Sequence, residues 1–172
     1  MNNEKIKREL NVEKVTVNIG VGDSGEGLDK SVKLLQIITG RKPIYTKAKK
    51  RNQVFGIKKG QNIGTKVTIR GKTAMEFIKK AFDAVGDTIK KSSFDKYGNF
   101  SFGLKEYIDF PGIKYDPTIG LIGFDVCVSL SRPGLRVTKR RRKRSRIPRK
   151  NKITIDEAVD FIKNNFGIQI SE

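Results

Sequence analysis

Apolar residues recur along this chain with two periods, and the switches between them mark out its elements. Over residues 12–20, Val12, Val15, Val17 and Ile19 stand among polar neighbours, with Lys14 interrupting, which predicts a strand. A glycine-rich turn follows. Leu28, Val32, Leu35 and Ile38 then repeat at helical spacing until Gly40, predicting a helix over 28–39. Pro43-Ile44-Tyr45 predicts a short strand, 48–62 a basic loop punctuated by glycine, and 66–70 an alternating strand. Thr73 and Glu76 have the spacing of a capping box, and Ala74, Phe77, Ile78, Ala81, Phe82 and Val85 form the apolar face of the helix it would open. Residues 100–104 and 121–130 predict two further strands. Thr154 and Glu157 repeat the capping-box spacing ahead of a last helix running to about Phe166, before Gly167.

Strands and helices are interspersed without a regular βα rhythm, and some strands are separated by loops alone. That predicts an α+β fold: a mostly antiparallel sheet with helices packed on one face, plus a basic extended loop. The 172 residues suit a single domain spanning 1–172, with no internal repeat. Hydrophobic residues are 36% of the chain, and the 17 glycines bring the apolar share to the ordinary globular level of about 45–50%, enough for a modest core. The segment 136–152 is nearly free of apolar residues and predicts an extended loop, disordered until it meets a partner.

Charge changes the picture. Thirteen cations lie between Asp29 and Glu76 and twelve between Asp125 and Asp156, so 25 of the 37 Lys and Arg occupy stretches without one carboxylate. Ten of them crowd into 136–150. With no acid beside them in sequence, these cations are not expected to form local salt bridges. At +19 the net charge far exceeds the magnitude of roughly 2–8 that solubility asks of a small domain. Such concentrated charge fits a polyanionic partner, of which nucleic acid is the commonest.

Missing residue types narrow the function. With no histidine, the commonest general base and metal ligand are both absent, and a single cysteine cannot build a zinc site. Asp23, Glu26 and Asp29 lie in the glycine-rich connection, and Asp156, Glu157 and Asp160 in the first turns of a helix, where acids serve turns and helix dipoles. The chain reads as a non-enzyme without metal or cofactor. It has no apolar run of about 18 residues and no apolar stretch in MNNEKIKREL, so no membrane partner is expected. Cys127 alone forms no internal disulfide, which agrees with a cytoplasmic location.

Gly20-Val21-Gly22-Asp23-Ser24-Gly25 matches the dinucleotide fingerprint G-x-G-x-x-G between a strand and a helix. Around 20 residues on, where an acid should meet the ribose, the chain reads Arg41-Lys42-Pro43. Asp23 and Glu26 would repel a pyrophosphate, and later βαβ units are missing. An NADP site through Arg41 stays as an alternative; a tight turn close to another backbone accounts better for the glycines.

Seven motifs occur in the order found in one family: 15–26 (VTVNIGVGDSGE), 39–43 (TGRKP), 46–50 (TKAKK), 55–60 (FGIKKG), 98–103 (GNFSFG), 108–112 (IDFPG) and 114–117 (KYDP). From about residue 8 to 170 the chain resembles the universal ribosomal protein family that anchors 5S rRNA in the central protuberance of the large subunit, fifth in the large-subunit list. Its basic insert resembles the archaeal form. The resemblance implies a structural constituent of the ribosome. Its partners would be 5S rRNA, large-subunit rRNA, P-site tRNA reached through a projecting loop, a small-subunit head protein across an intersubunit bridge, and neighbouring large-subunit proteins.

The family's 5S contacts carry over onto Asn18, Arg41, Phe55 and Thr68. Bacterial members typically have glutamine where Arg41 stands, which leaves two readings for Arg41: the family's bond to a base or sugar, or a bidentate grip on phosphate. Asn18 reads otherwise as a residue satisfying backbone groups, Phe55 as a core aromatic and Thr68 as an ordinary strand residue. Flanked by Arg51, Lys58 and Lys59, Phe55 also suits stacking on an unpaired base. Lys47, Lys49, Lys50 and Arg51 read as phosphate clamps. The resemblance puts Ile57, Lys58, Lys59, Gly60, Gln61 and Asn62 in the loop nearing tRNA. It assigns the insert, with Arg136, Lys139, Arg140, Arg141, Arg142, Lys143, Arg144 and Arg146, to other rRNA. A general basic DNA-binding architectural protein is the alternative that charge alone permits.

Overall fold

Every second residue of the central strands is buried, and the intervening ones face outward. The computed structural model describes residues 9–23, 25–86, 88–148 and 151–171. Five strands form one antiparallel sheet in the order β2-β3-β1-β6-β5: β1 Asn11–Gly20, β2 Ile44–Lys47, β3 Asn62–Ile69, β5 Phe100–Leu104 and β6 Phe124–Ser131. Its buried face carries Val15, Val17, Ile19, Val67, Ile69, Val126, Val128 and Leu130. Lys14 interrupts the alternation of β1 for a physical reason. The register with β6 shifts between Val12 and Lys14, so Glu13 is the extra residue of a β-bulge and the apolar period skips one position.

Three helices cover the buried face: α1 Glu26–Thr39, α2 Lys72–Val85 and α4 Ile155–Phe166. Leu34 and Leu35, then Ala74, Phe77, Ile78, Ala81 and Phe82, then Ala158 and Ile162 join the strand residues in one apolar cluster. Phe82 ties the layers together. Its ring lies 5.2 Å from Phe102 and 6.1 Å from Phe100 on β5, and 5.4 Å edge-on from Phe166 on α4. The predicted α+β architecture, an antiparallel sheet with helices on one face, is therefore the observed one.

The two capping boxes have different outcomes. At α4, Thr154 Oγ1 accepts from the Glu157 N–H, and Glu157 Oε2 accepts from the Thr154 N–H. At α2 the box does not form. Gly71 occupies the cap position and the helix begins at Lys72, so Thr73 already lies inside the first turn. Its hydroxyl instead donates to the Arg70 carbonyl at 3.3 Å.

Two strands were invisible to periodicity. β4 Thr88–Lys90 and β7 Gln169–Ser171 form a parallel pair, each of three residues, too short to show an alternation. The strand expected from Leu121 starts only at Phe124; just before it, Gly123 passes so close to the Leu104 and Lys105 carbonyls that a Cβ would come to 2.6 Å. The basic insert is not wholly extended: Arg136–Lys139 forms one helical turn, α3, before an irregular course through the described residues up to Pro148.

Candidate nucleic-acid interface

The second face of the sheet is polar and carries none of the three long helices, which bury their apolar sides against the first. Strand registers align its residues in rows. One row runs Ile44, Lys66, Asn18, Asp125, Gly103, and the next Thr68, Thr16, Cys127, Ser101. Lys66, Thr68, Asp125, Cys127, Ser101 and Gly103 are exposed. Asn18 and Thr68 thus sit one step apart on one face, with Lys66 directly opposite Asn18. Lys66 was not among the expected site residues, though its outward place in the alternating strand puts it on the same face as Asn18 and Thr68.

Beyond β2 and β3 the chain continues as a hairpin. Asn52 and Ile57 exchange backbone hydrogen bonds of 2.9 Å, and Gln53 to Gly56 make the turn. At the tip Val54 is 89% and Phe55 73% exposed, so Phe55 is no core residue. Lys47, Lys49, Lys50, Arg51, Lys58 and Lys59 are exposed around it, none with a carboxylate in ion-pair range among the described residues. Ile57, Gln61 and Asn62 are half-buried. The Gly60 N–H donates to the Ala48 carbonyl at 2.9 Å, and the Ala48 N–H to Gln61 O at 2.8 Å. Residues 57–62 are therefore the return arm of the hairpin that carries Phe55, not a separate loop.

The four positions matched to 5S contacts are strung along the sheet rather than clustered. Thr68 and Asn62 are six residues apart on β3, about 20 Å, and Phe55 lies further out still. Arg41 lies at the other end, its Nη2 donating to Thr73 Oγ1 at 3.3 Å where α2 begins.

The dinucleotide-like glycines serve the backbone. The Val21 and Gly22 N–H groups both donate to Ile63 O, at 3.0 and 2.8 Å, so neither is turned to a phosphate. Gly20 pairs with Gly64, where a Cβ would come within 2.6 Å of the Ile19 carbonyl. Ser24 of the motif lies outside the described residues.

Some cations in the carboxylate-free stretches do find acids, one of them locally. Lys30 reaches Glu26 one helical turn back at 3.9 Å, correcting the expectation that none would pair nearby in sequence. Arg70, at 3.8 Å, and Lys139 share Glu13 on the β1 bulge, and Arg132 meets Glu157 at 2.5 Å. Tertiary folding supplies these last three partners. Arg136, Arg140, Arg141, Arg142, Lys143, Arg144 and Arg146 are exposed without an ion pair among the described residues. Arg140 Nε turns back to Lys143 O at 2.7 Å. The expected cations Arg149 and Lys150 lie outside the described residues.

A sheet with one polar face, flanked by a basic hairpin and a basic insert, has the character of a surface for a polyanion such as nucleic acid. Residues 6–58 match the family model described as Ribosomal protein L5, and residues 62–169 match the model of that ribosomal family's C-terminus. Large ribosomal subunit protein uL5 of Sulfurisphaera tokodaii is 54% identical over 166 residues, covering 96% of this chain and 94% of the relative. The protein of the same name from Sulfolobus acidocaldarius is 50% identical, with 98% and 95% covered, and that of Methanococcus vannielii 49% identical, with 92% and 90% covered. The chain belongs to the ribosomal protein L5 family in its archaeal form, as a structural, non-enzymatic constituent of the large ribosomal subunit in the cytoplasm.

Proposed function

We propose that this chain acts as one domain that holds 5S rRNA in the central protuberance, laying the RNA along the open face of its sheet. The observation that carries this reading is the grouping of Asn18, Lys66 and Thr68 on a polar face left uncovered by the three long helices. Hydroxyl and amide groups there can bond sugar and base edges while Lys66 meets phosphate. Arg41 extends the contact at one end as a phosphate fork. At the other end the hairpin offers Phe55 as a stacking ring with Lys47, Lys49, Lys50 and Arg51 as phosphate clamps. An RNA touching both ends must follow the sheet for more than 20 Å or so, which a folded RNA of many nucleotides does readily.

The return arm brings Lys58 and Lys59 outward beside the tip. They suit a phosphate contact with P-site tRNA that is indifferent to which tRNA is bound. The insert from Arg136 to Arg146 neutralises other large-subunit rRNA, and an intersubunit contact with a small-subunit head protein completes the role.

Competition binding tests the central reading. Folded 5S rRNA should displace duplex DNA at matched salt, and Asn18→Ala with Lys66→Ala should reduce that preference. Equal affinity for both polymers would replace it with a general DNA-binding role.

A further inference from the structure

A groove of about 1360 Å³ lies between the basic insert and the end of the sheet, and no role proposed above uses its floor or Tyr97 at its edge. Its floor continues the open face. Lys14 and Ser129 pair in register one step beyond Thr16 and Cys127, and both line the groove. The volume exceeds the roughly 300–1,000 Å³ of small-molecule sites, so it suits a segment of a polymer. Both of its acids are occupied: Glu13 by Lys139 and Arg70, Glu157 by Arg132. Lys14, Arg146 and Lys152 line it with no carboxylate in ion-pair range among the described residues.

At its edge stands Tyr97, 49% exposed. The turn that carries it is held tightly. Asp95 Oδ1 accepts from the Tyr97 and Asn99 N–H groups at 2.8 Å each, and Asp95 Oδ2 from the Asn99 side chain at 2.8 Å. Asn99 Oδ1 in turn accepts from the Leu130 N–H at 3.2 Å, fastening the turn to β6. Gly98, with φ of 76°, presses so close to Ile153 and Ala158 that a Cβ would lie 2.6 Å from Ile153 Cγ2. The backbone that carries the ring is thus already ordered before any partner arrives. Two ammonium groups lie over the ring, Lys96 Nζ at 5.5 Å and Lys152 Nζ at 5.7 Å from its centroid, near the outer limit of cation–π attraction, so a base stacking there would displace a weakly held cation towards its own phosphate.

We propose that this groove is a further RNA site, taking a single-stranded RNA segment whose unpaired base stacks on Tyr97 while the adjoining phosphates meet Lys96 and Lys152. An exposed aromatic ring with two cations over it, beside a polar sheet face, matches the way single strands are held. The proposal deepens the RNA-binding reading above, and the strand can come from 5S or from large-subunit rRNA.

The test uses the full chain with labelled 5S rRNA, a large-subunit rRNA transcript and decaglutamate. Tyr97→Ala should weaken binding to one of the RNAs by about 5- to 150-fold without changing its salt slope. Tyr97→Phe should stay within about twofold of the parent. Lys96→Ala with Lys152→Ala should flatten the log–log salt slope for the same RNA by about 1.4. Unchanged affinity of a folded Tyr97→Ala chain for both RNAs would overturn the site, as would an equal loss in Tyr97→Phe. Decaglutamate affinity that falls in Tyr97→Ala while RNA affinity holds would overturn it in favour of an acidic peptide. If the parent chain shows no preference for 5S rRNA over duplex DNA, yet Tyr97→Ala weakens large-subunit rRNA binding, the 5S assignment falls and this site stands.

Discussion

Val17 and Asn18 are adjacent on β1 and face opposite sides of the sheet. Val17 is fully buried under the helices, whereas Asn18 looks out from a row of small and polar side chains. The same division repeats between Val67 and Thr68 and between Val126 and Cys127. One face commits its residues to apolar contact, the other keeps them available for a partner. Because the side-chain period of a strand is 2, one alternating sequence encodes both faces at once. Stability and binding can therefore be altered almost independently, residue by residue.

The strongest way to break this separation acts on the buried face. Phe82→Ala should destabilise the fold by about 3–5 kcal/mol, because the ring packs against α4 and β5 together. Denaturant unfolding checks it, and an unchanged midpoint would mean the layers repack around the gap. On the outward side, Phe55→Ala should leave the unfolding midpoint alone and weaken 5S rRNA binding by about 1–3 kcal/mol at unchanged salt slope. A folded variant with the parent's affinity would refute the stacking role. Replacing Arg140, Arg141, Arg142 and Arg144 by Ala should do the opposite, flattening the slope for large-subunit rRNA by about 3 if all four touch phosphate; an unaltered slope would leave them solvated.

Smaller effects sharpen the comparison. Thr154→Ala removes a cap that forms and should cost about 1 kcal/mol, while Thr73→Ala removes one that does not and should stay within about 0.5 kcal/mol. Equal losses in thermal melts would contradict the two cap geometries. The smallest effect is on acid stability. Burial acts to raise the Glu157 carboxyl, but hydrogen bonds from the Thr154 N–H and Arg132, with the charge of Arg132, outweigh it and hold the group below its ordinary value. A carboxylate lowered in the folded state stabilises it above the ordinary carboxylate range, and that contribution is lost as pH falls through the lowered value. Arg132→Ala should therefore shallow the loss of stability below pH 5 or so; an identical acid profile in the variant would show the ion pair to be inconsequential.

Much of this was legible in the linear chain. Residues 100–104 were predicted as a strand and are one, and the helix stops at Gly40 and Gly167 are left-handed caps. The outward places of Asn18, Lys66 and Thr68 follow from the same alternation that marks Val15, Val17 and Val67 as core. What failed depended on backbone geometry that residue spacing does not show. Thr73 and Thr154 have the same local spacing, and only the backbone at Gly71 decides that one of them is no cap.

The amino-acid sequence by itself determined the two faces, the excess of cations and the family, because periodicity, composition and ordered motifs are properties of the chain alone. Only the tertiary structure decided that Glu13 serves both Arg70 and Lys139, that residues 57–62 and Phe55 share one hairpin, and that Tyr97 overlooks a groove between the sheet and the insert. Those are pairings between segments up to 126 residues apart, and they exist only once the sheet has set its strand order. Local pattern carries no information about which distant segment the closing of the sheet brings alongside.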